Sequence, residues 1–529
     1  MSLFDRIFGL REEQVPTPPA VPAPSPVPSV RRSARRNSVA YRSFQAGQSD
    51  RLTSGWSGFP TNIDEIIRRH WRSLVARSRE QYMNNDYLRA YVGMCVTNIV
   101  GHQGIVMQAQ STDPDGTLDS RANDAIEKSF ADWGKRQNCD ITGRKSWRSI
   151  QRAWVVSLAR DGEAMARKIT GDDAGPFGFA LQMIDPVRCP VDMDRTKMPG
   201  GNFIRHGIEF NGLGRPIAYY FYSLDAERAD YHWGGRAFTR VPADEIIHGF
   251  VEDFEGQKRG LPWAATALWR LKQLKGFEDA SLINARATAS KMGFLKWDKD
   301  AEGPDAEYDP DEEIYMEFDP GTIQELPPGV EFQEWNPQYP NGEFVAFHKA
   351  MLRGVSAGWR VAYNNLASDL EGVNFSSIRQ GTLSERDMWM ELQAHVIETL
   401  VEPVQQEWLK RALLRGKITV FGAPLKPSRL SKYSNIANQG RRWSWVDPRA
   451  DVLAAKESKN NFLASPGQLI RETGRDPQTV WREVGRDIQE MKKAGIPEEL
   501  ILAALSPKLN VPDSVFGGDD GDGAKVPEE

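Results

Sequence analysis

Cysteine is scarce in this 529-residue sequence, and long apolar runs and a surplus of basic residues are missing from it. Its cysteines, Cys95, Cys139 and Cys189, lie far apart without CxxC spacing, which argues against a disulfide scaffold and against a thiolate metal site. No apolar run approaches the roughly 20 residues of a membrane-spanning helix, and the N-terminus lacks a signal-peptide pattern. We therefore expect no stable membrane insertion. The 67 basic and 72 acidic side chains give a net charge of −5, which excludes a protein that wraps nucleic acid with its whole surface.

Motifs for catalysis are equally scarce. The nearest strings to a phosphate-binding P-loop, Gly134-Lys135 and Gly416-Lys417, lack the upstream glycine and the following hydroxyl residue. The seven histidines show no metal-ligand spacing. We therefore predict neither a metal nor another cofactor.

One string has the spacing of an enzyme motif. Gly354-Val355-Ser356-Ala357-Gly358 matches the GxSxG turn that leads from a strand into a helix and exposes a nucleophilic serine in hydrolases. The ten residues before it have helical rather than strand periodicity. We therefore expect Ser356 to pack inside a helix whose small residues allow close contact with another helix. A serine hydrolase that uses Ser356 is the alternative from the enzyme class.

The first half of the chain divides into a tether and a folded module. Residues 1–59 contain seven prolines between positions 14 and 30, followed by an arginine cluster, and predict a disordered Pro/Arg-rich N-terminal tether. Residues 60–261 mix helical and strand patterns, which predicts an α+β module. Within it, two helical stretches are each preceded by candidate capping residues, which are Thr61, Asn62 and Asp64 for the first and Asn84, Asn85 and Asp86 for the second.

Two predicted helices enclose an acidic insertion. Residues 262–292, bounded by a proline and a glycine, predict one long helix, and residues 342–366 carry an apolar stripe that predicts a second. Between them, residues 298–337 hold fourteen Asp or Glu against one Lys, a local charge of −13. Apolar side chains are also numerous there, so we predict a small β-rich insertion over residues 293–341 rather than an acidic disordered segment.

The last part of the chain is mostly helical. Residues 367–378 predict a polar loop, and residues 379–414 a long helix kinked by its proline. Residues 415–447 read as short strands, residues 448–505 as short helices separated by proline and glycine, and residues 506–529 as an acidic disordered tail.

Nine strings, taken in order, identify a family. They are NIVGHQGIVMQ (98–108), RDGEAMAR (160–167), LQMIDP (181–186), VPADEIIHGF (241–250), GQKRGLPWAATAL (256–268), EDASLINARATASKMGFL (278–295), LEGVNFSSIRQGTLSERDMW (370–389), WSWVDPRAD (443–451) and SPGQLIRETGRDPQTV (465–480). In this order, and with their coverage of residues 84–480, the strings resemble those of the lambda-like portal proteins of tailed bacteriophages. The tether and the tail fall outside the resemblance.

The resemblance implies a multi-domain α+β subunit that assembles as a ring. The implied domains are an α/β wing (60–261, with return strands 415–447), stem helices (262–292 and 342–366), a small β-rich clip (293–341), a channel loop (367–378), a kinked long helix (379–414) and a helical crown (448–505).

The resemblance also implies a function. Portal proteins of this kind form a homo-dodecamer at one capsid vertex, through which a separate terminase drives double-stranded DNA that is later ejected. The implied partners are the terminase large subunit, the major capsid and scaffolding proteins and the head-tail connector proteins. The implied location is the virion portal vertex, after assembly in the host cytoplasm. The portal itself is not an enzyme. A portal-like neck adaptor without motor contact is a further alternative.

For the channel loop, the resemblance implies that Asp369 and Glu371 repel DNA phosphate while Asn374 or Phe375 forms a steric collar. Arg379 would contact phosphate or pair with one of the loop carboxylates, and the ion pair is favoured. The loop candidates are Ser368, Asp369, Leu370, Glu371, Gly372, Val373, Asn374 and Phe375, and the channel-proximal basic candidates are Arg379, Arg360 and Lys349.

The clip carboxylates are the candidates for terminase docking. DNA that slides must not be held by many basic contacts, and an acidic segment repeated around a ring would repel phosphate toward the pore axis. The same charge facing outward would instead bind a basic terminase surface, and the sequence does not decide between these. The candidates are Asp309, Asp311, Glu312, Glu313, Glu317 and Asp319.

Overall fold

The structure is a computed structural model of the chain. It describes residue 55 and residues 60–222, 238–289, 293–297, 330–334, 344–371, 375–443 and 448–505. The chain divides into two compact units, Met1–Pro60 and Thr61–Glu529, and the elements below belong to the second. The predicted tether and tail lie outside the described residues, apart from residue 55.

Helices and strands alternate through the described residues and confirm a mixed α+β fold. The helices are α1 Ile63–Asn84, α2 Asp86–Ile99, α3 Ser120–Trp133, α4 Arg136–Cys139, α5 Trp147–Asp161, α6 Leu268–Ala289, α7 Phe344–Gly358, α8 Tyr363–Ala367, α9 Phe375–Val396, α10 Glu402–Leu414, α11 Leu430–Tyr433, α12 Pro448–Asn460, α13 Pro466–Glu472, α14 Pro477–Lys493 and α15 Glu498–Leu505. The strands are β1 Val106–Ala109, β2 Glu163–Thr170, β3 Phe179–Ile184, β4 Phe203–Arg205, β5 Ile208–Phe210, β6 Pro216–Phe221, β7 Thr239–Pro242, β8 Ile246–Phe250, β9 Gly293–Trp297, β10 Val330–Glu334, β11 Thr419–Val420, β12 Ala423–Pro424 and β13 Ile436–Gln439.

The first two helices begin at the predicted caps. The Asn62 side chain accepts from the backbone N–H of Asp64, and the Asn85 side chain accepts from that of Leu88. Each cap satisfies an N–H that the first turn of a helix leaves without an intrahelical partner. Asn85 also ends α1, so a single residue separates the two helices.

The strands form small antiparallel sheets. β2 is the centre of a three-stranded sheet between β3 and β8, and β4 to β7 form a four-stranded meander. β13 pairs with β1, with Asn438 opposite Met107. The segment after residue 415 therefore contains a strand that pairs with the first half of the chain.

Aromatic side chains fill the centre of the main core. Trp133 stacks on Phe179, and Phe130 meets the edge of Trp408 with ring centroids 4.8 Å apart. Trp408 lies on α10, and both it and Trp133 are fully buried. Because such rings bury large apolar areas, this cluster fixes α10 against the first half of the chain.

The long helices differ from the prediction at their ends. α6 starts at Leu268 rather than 262, since turns follow Pro262, and it ends at Ala289 before β9. α7 ends at Gly358, because Arg360 adopts a left-handed conformation (φ 58°) that no α-helix continues through; α8 forms only afterwards. A π-helical turn, Ile397–Val401, precedes Pro403, where the sequence predicted a kink. Pro403 has no N–H for a bond to residue 399, and the wider turn accommodates the loss.

Candidate channel loop and its supporting helices

Helices α6 and α7 form an antiparallel pair. Phe277 stacks on Phe344 with ring centroids 5.3 Å apart, and the His348 Nε2 atom lies 2.6 Å from a Glu278 carboxylate oxygen. Arg270 lies against Gly354, nearer the other ends of the two helices. Residues near the start of α6 therefore contact residues near the end of α7, and residues further along α6 contact the start of α7, so the two helices run in opposite directions.

The GxSxG string lies within α7 and serves this packing. A Cβ added at Gly354 would overlap the Arg270 guanidinium, and one at Gly358 would lie 3.2 Å from the Thr266 hydroxyl. Ser356 is buried, and its Oγ donates to the carbonyl of Arg353, 3.0 Å away. Because no strand leads into the string, there is no nucleophile elbow. The expectation of helix packing is confirmed, and the serine hydrolase alternative is wrong.

The polar loop begins where α8 ends. Ser368 adopts the left-handed conformation (φ 53°) that turns the chain out of α8. Asp369, Leu370 and Glu371 follow, and Leu370 is 68% exposed. Three further candidates, Gly372, Val373 and Asn374, lie outside the described residues. Phe375 begins α9, so the end of the predicted range 367–378 is helical.

Lys349 of α7 holds this loop through both of its carboxylates. Its Nζ lies 3.0 Å from Oδ2 of Asp369 and 2.8 Å from Oε2 of Glu371. Asp369 also accepts from the Tyr363 hydroxyl at 2.8 Å and from the backbone N–H of Glu371 at 3.0 Å. Lys349 and these two donors lower the pKa of Asp369 to about 2, while the carboxylates of Glu371 and Asp369 raise the pKa of Lys349. The loop is therefore tied to α7 over a wide pH range.

Glu385 of α9 fixes the other side of α8. This buried carboxylate accepts from the backbone N–H of Ala362 at 3.2 Å, from the Asn365 side chain at 2.7 Å and from the Trp389 indole at 3.1 Å. The loop thus starts from a helix that is held from two directions.

The remaining candidates are placed differently. Arg360 donates to Glu391 of α9 at 3.1 Å, with both side chains largely exposed. Arg379 lies on α9, but its side chain is outside the described residues, so its predicted pairing stays a prediction. The clip carboxylates Asp309, Asp311, Glu312, Glu313, Glu317 and Asp319 are also outside them. The antiparallel pair β9 and β10 frames that insertion and agrees with its predicted β character.

Sequence reasoning missed the residues that organise the loop. Lys349 was predicted as a channel-proximal base rather than as the partner of Asp369 and Glu371, and Glu385 was not singled out. Lys349 and Glu371 are 22 positions apart, and Asn365 and Glu385 are 20 positions apart. No spacing rule connects such positions.

Among the described helices, none is long and apolar enough to cross a membrane. In the same part of the chain, no group of three His, Cys, Asp or Glu side chains is arranged to hold a metal ion.

Comparison with known proteins gives a consistent result. The family model for phage portal proteins of the lambda family matches residues 49–393. The chain is 32% identical to a probable portal protein of Halomonas phage phiHAP-1 over 490 residues, covering 92% of this chain and 91% of that one. It is 20% identical to portal protein B of Escherichia phage lambda, covering 93% of this chain and 96% of the relative. Among solved structures, it is similar to a chain from the neck of an empty gene transfer agent particle, with a TM-score of 0.42 and 14% identity over 80% of this chain and 98% of that one.

Proposed function

The chain belongs to the lambda family of phage portal proteins, and from that premise we propose that it forms a dodecameric ring at one capsid vertex. Portal proteins are structural proteins, and this chain is not an enzyme. In the proposed role, double-stranded DNA enters and leaves the head through the ring, which docks the terminase during packaging and the head-tail connector proteins afterwards. Assembly with the capsid and scaffolding proteins takes place in the host cytoplasm, and the ring then stays in the virion.

The observation that carries the proposal is the exposed apolar surface of the α6–α7 pair. Five large apolar side chains on these two helices are between 46% and 71% exposed in the single chain. Apolar exposure on this scale marks a surface that a partner covers. Copies of the helix pair arranged around an axis would bury these side chains between neighbours and leave an open bore. They are Trp269, Leu282, Ile283, Val345 and Phe347.

The clip is proposed as the docking surface for the terminase. It lies between β9 and β10, at the point where the chain turns from α6 back to α7. In a ring, every copy therefore presents the same acidic segment at the same end of the stem. The carboxylates supply a site for a basic motor surface, and their field also disfavours tight binding of DNA.

The channel loop is proposed to face the DNA. Lys349, Asp369 and Glu371 together leave a net charge of −1 per copy. Such a loop repels phosphate weakly and does not hold it, which suits a duplex that has to slide. The ion pairs between Lys349 of α7 and the two loop carboxylates set how far the loop extends from the helix pair.

Electron microscopy tests the ring directly. The purified chain, concentrated under assembly conditions, should give negative-stain class averages of rings with a central hole and countable symmetry. A particle that stays monomeric under these conditions, with the α6–α7 surface covered by its own residues, would overturn the proposal.

A pull-down tests the docking role and separates a portal from a neck adaptor. Wild-type rings should retain the terminase large subunit, and rings that lack residues 298–335 should not. Undiminished binding after this deletion contradicts the clip assignment, and absence of binding to wild-type rings favours the adaptor.

A further inference from the structure

Phe421 occupies a position that does not suit a phenylalanine. It stands at the tip of the tight turn between β11 and β12, is 88% exposed and has a φ of 50°, followed by Gly422 with a φ of 82°. Turns with two such residues favour Asn-Gly, and a non-glycine residue is disfavoured in the left-handed conformation. The ring gains little within the chain beyond the Arg121 guanidinium, 5.2 Å from its centroid. Folding of the single chain thus gives no reason for an aromatic residue here.

A groove elsewhere on the same chain has the complementary character. It lies between α2 and α5, has a volume of about 300 Å³ and a floor of Val92, Val96 and Val156. A cavity of roughly 150 Å³ already admits a benzene ring. The exposed Arg89 and Arg152 flank the floor, and none of the described residues lining the groove is a carboxylate. Guanidinium groups attract the face of an aromatic ring.

Gly93 keeps this groove open. It lies in the middle of α2, and a Cβ built on it would meet nothing within 4 Å. Glycine within a helix is destabilising relative to alanine, and no neighbour in the described chain explains its presence. The missing side chain leaves space for an incoming group.

We propose that Phe421 of one copy inserts into the α2–α5 groove of the next copy. The proposal rests on the ring assembly proposed above and names a contact within it. Phe421 does not line the groove of its own chain in the described residues. A projecting group and a receiving groove on different parts of one surface form a head-to-tail contact, which closes into a ring when the rotation between copies permits. The two features that are unfavourable in the single chain, the left-handed Phe421 and the helical Gly93, both serve this contact.

Two substitutions separate assembly from folding. Phe421→Asn supplies a residue that tolerates the left-handed turn, and Gly93→Leu fills the groove with a better helix former. We expect both variants to unfold at the same or a higher urea concentration than wild type, while the fraction assembled in sedimentation velocity falls at least tenfold. Leu213→Asn, at another exposed tip (95% exposed), and Gly485→Leu, at an open helical glycine of α14, are matched controls that should assemble normally.

Cross-linking tests the contact itself. The three native cysteines are buried, so a Phe421→Cys/Gly93→Cys double variant should give a ladder of disulfide-linked oligomers under oxidation, and each single variant should not. Phe421→Cys combined with Leu213→Cys is the control pair. Rings that form normally in the Phe421→Asn and Gly93→Leu variants, without a cross-linked ladder, would overturn this contact and leave the proposed function standing. Absence of rings in wild type would overturn both.

Discussion

The ammonium group of Lys349 lies within 3.0 Å of carboxylate oxygens of both Asp369 and Glu371, so one α7 side chain holds the candidate channel loop by its two acids. The loop's position is therefore set by an ion-pair cluster and not by loop length alone. Lys349 is on α7, so the position of the loop is linked to that of this helix.

Replacing Lys349 with methionine should release the loop. The methionine keeps an unbranched side chain but removes the charge that pairs with Asp369 and Glu371. We expect amide hydrogen exchange of residues 368–371 to accelerate roughly 2- to 10-fold, measured by mass spectrometry on assembled rings. Lys410→Met, on the exposed face of α10, is the control and should leave the loop unchanged. Equal rates of amide exchange in the two variants would show that the ion pairs of Lys349 do not hold the loop.

The buried pair of Glu163 and Arg259 should dominate the stability of the α+β module. Oε1 of Glu163 lies 2.5 Å from Nη2 of Arg259, and both side chains are fully buried. Breaking a buried pair from one side costs about 3–5 kcal/mol, so Glu163→Gln should lower the free energy of unfolding by this amount in urea titrations. The same change at Glu245, whose pair with Arg167 is partly exposed, should cost about 1 kcal/mol or less. Similar losses in both variants would count against the assignment.

The same carboxylate predicts a pH dependence. Burial by itself raises the pKa of Glu163, but the Arg259 guanidinium and His248 together outweigh it and lower the pKa from 4.5 to about 2. A carboxylate with a depressed pKa contributes stability that is present above pH 4.5 and is lost as the pH falls toward 2. Thermal unfolding of wild type should show this loss. The melting temperature of Glu163→Gln should decline less over the same interval, and parallel curves would show that another group is responsible.

Gly162 should tolerate no side chain. Its φ is 89°, and an added Cβ would overlap the carbonyl of Leu261. Gly143 has a similar φ of 68° but open space around it. Gly143→Ala should cost about 1–2 kcal/mol for the left-handed conformation alone, whereas Gly162→Ala should cost roughly 3 kcal/mol or more because backbone must also move. Urea unfolding of both variants measures the difference, and equal costs would exclude the close approach as the cause.

Reversing the clip charge should slow DNA translocation. Replacing Asp309, Asp311, Glu312 and Glu313 with lysine converts a repelling or motor-binding surface into one that holds phosphate. We expect normal rings by electron microscopy, slower DNA packaging with purified terminase, and partial recovery as added salt screens the new charges. The same number of reversals in the tail, at Asp519, Asp520, Asp522 and Glu528, is the control. Packaging at the wild-type rate would refute the electrostatic role.

Local signals predicted the elements well. The caps at Asn62 and Asn85 lie next to the residues they serve, and the helical period before Ser356 was enough to place the GxSxG string inside a helix. Pro403 marked a backbone irregularity because the missing N–H is a property of the residue itself. In each case, the cause and its effect lie within about one helical turn.

Contacts between distant segments could not be predicted in the same way. Three of the family strings contain Glu163, His248 and Arg259, yet only the fold brings them together, with His248 Nε2 3.1 Å from the Glu163 carboxylate. The left-handed Arg360 that ends α7 carries no local signal, since arginine is a good helix former. The pairing of Lys349 with the loop depends on this break, because the chain has to fold back toward α7.

The pairing of β1 with β13 also bears on synthesis at the ribosome. The side chains of Gln108 in β1 and Gln439 in β13 are hydrogen-bonded, although these residues are 331 positions apart in the sequence. β1 therefore cannot pair with β13 until the intervening residues have been translated. At roughly 5–20 residues per second, this takes between about 15 s and a minute. Throughout that time β1 has an unpaired strand edge, which is the kind of edge that can pair with another chain.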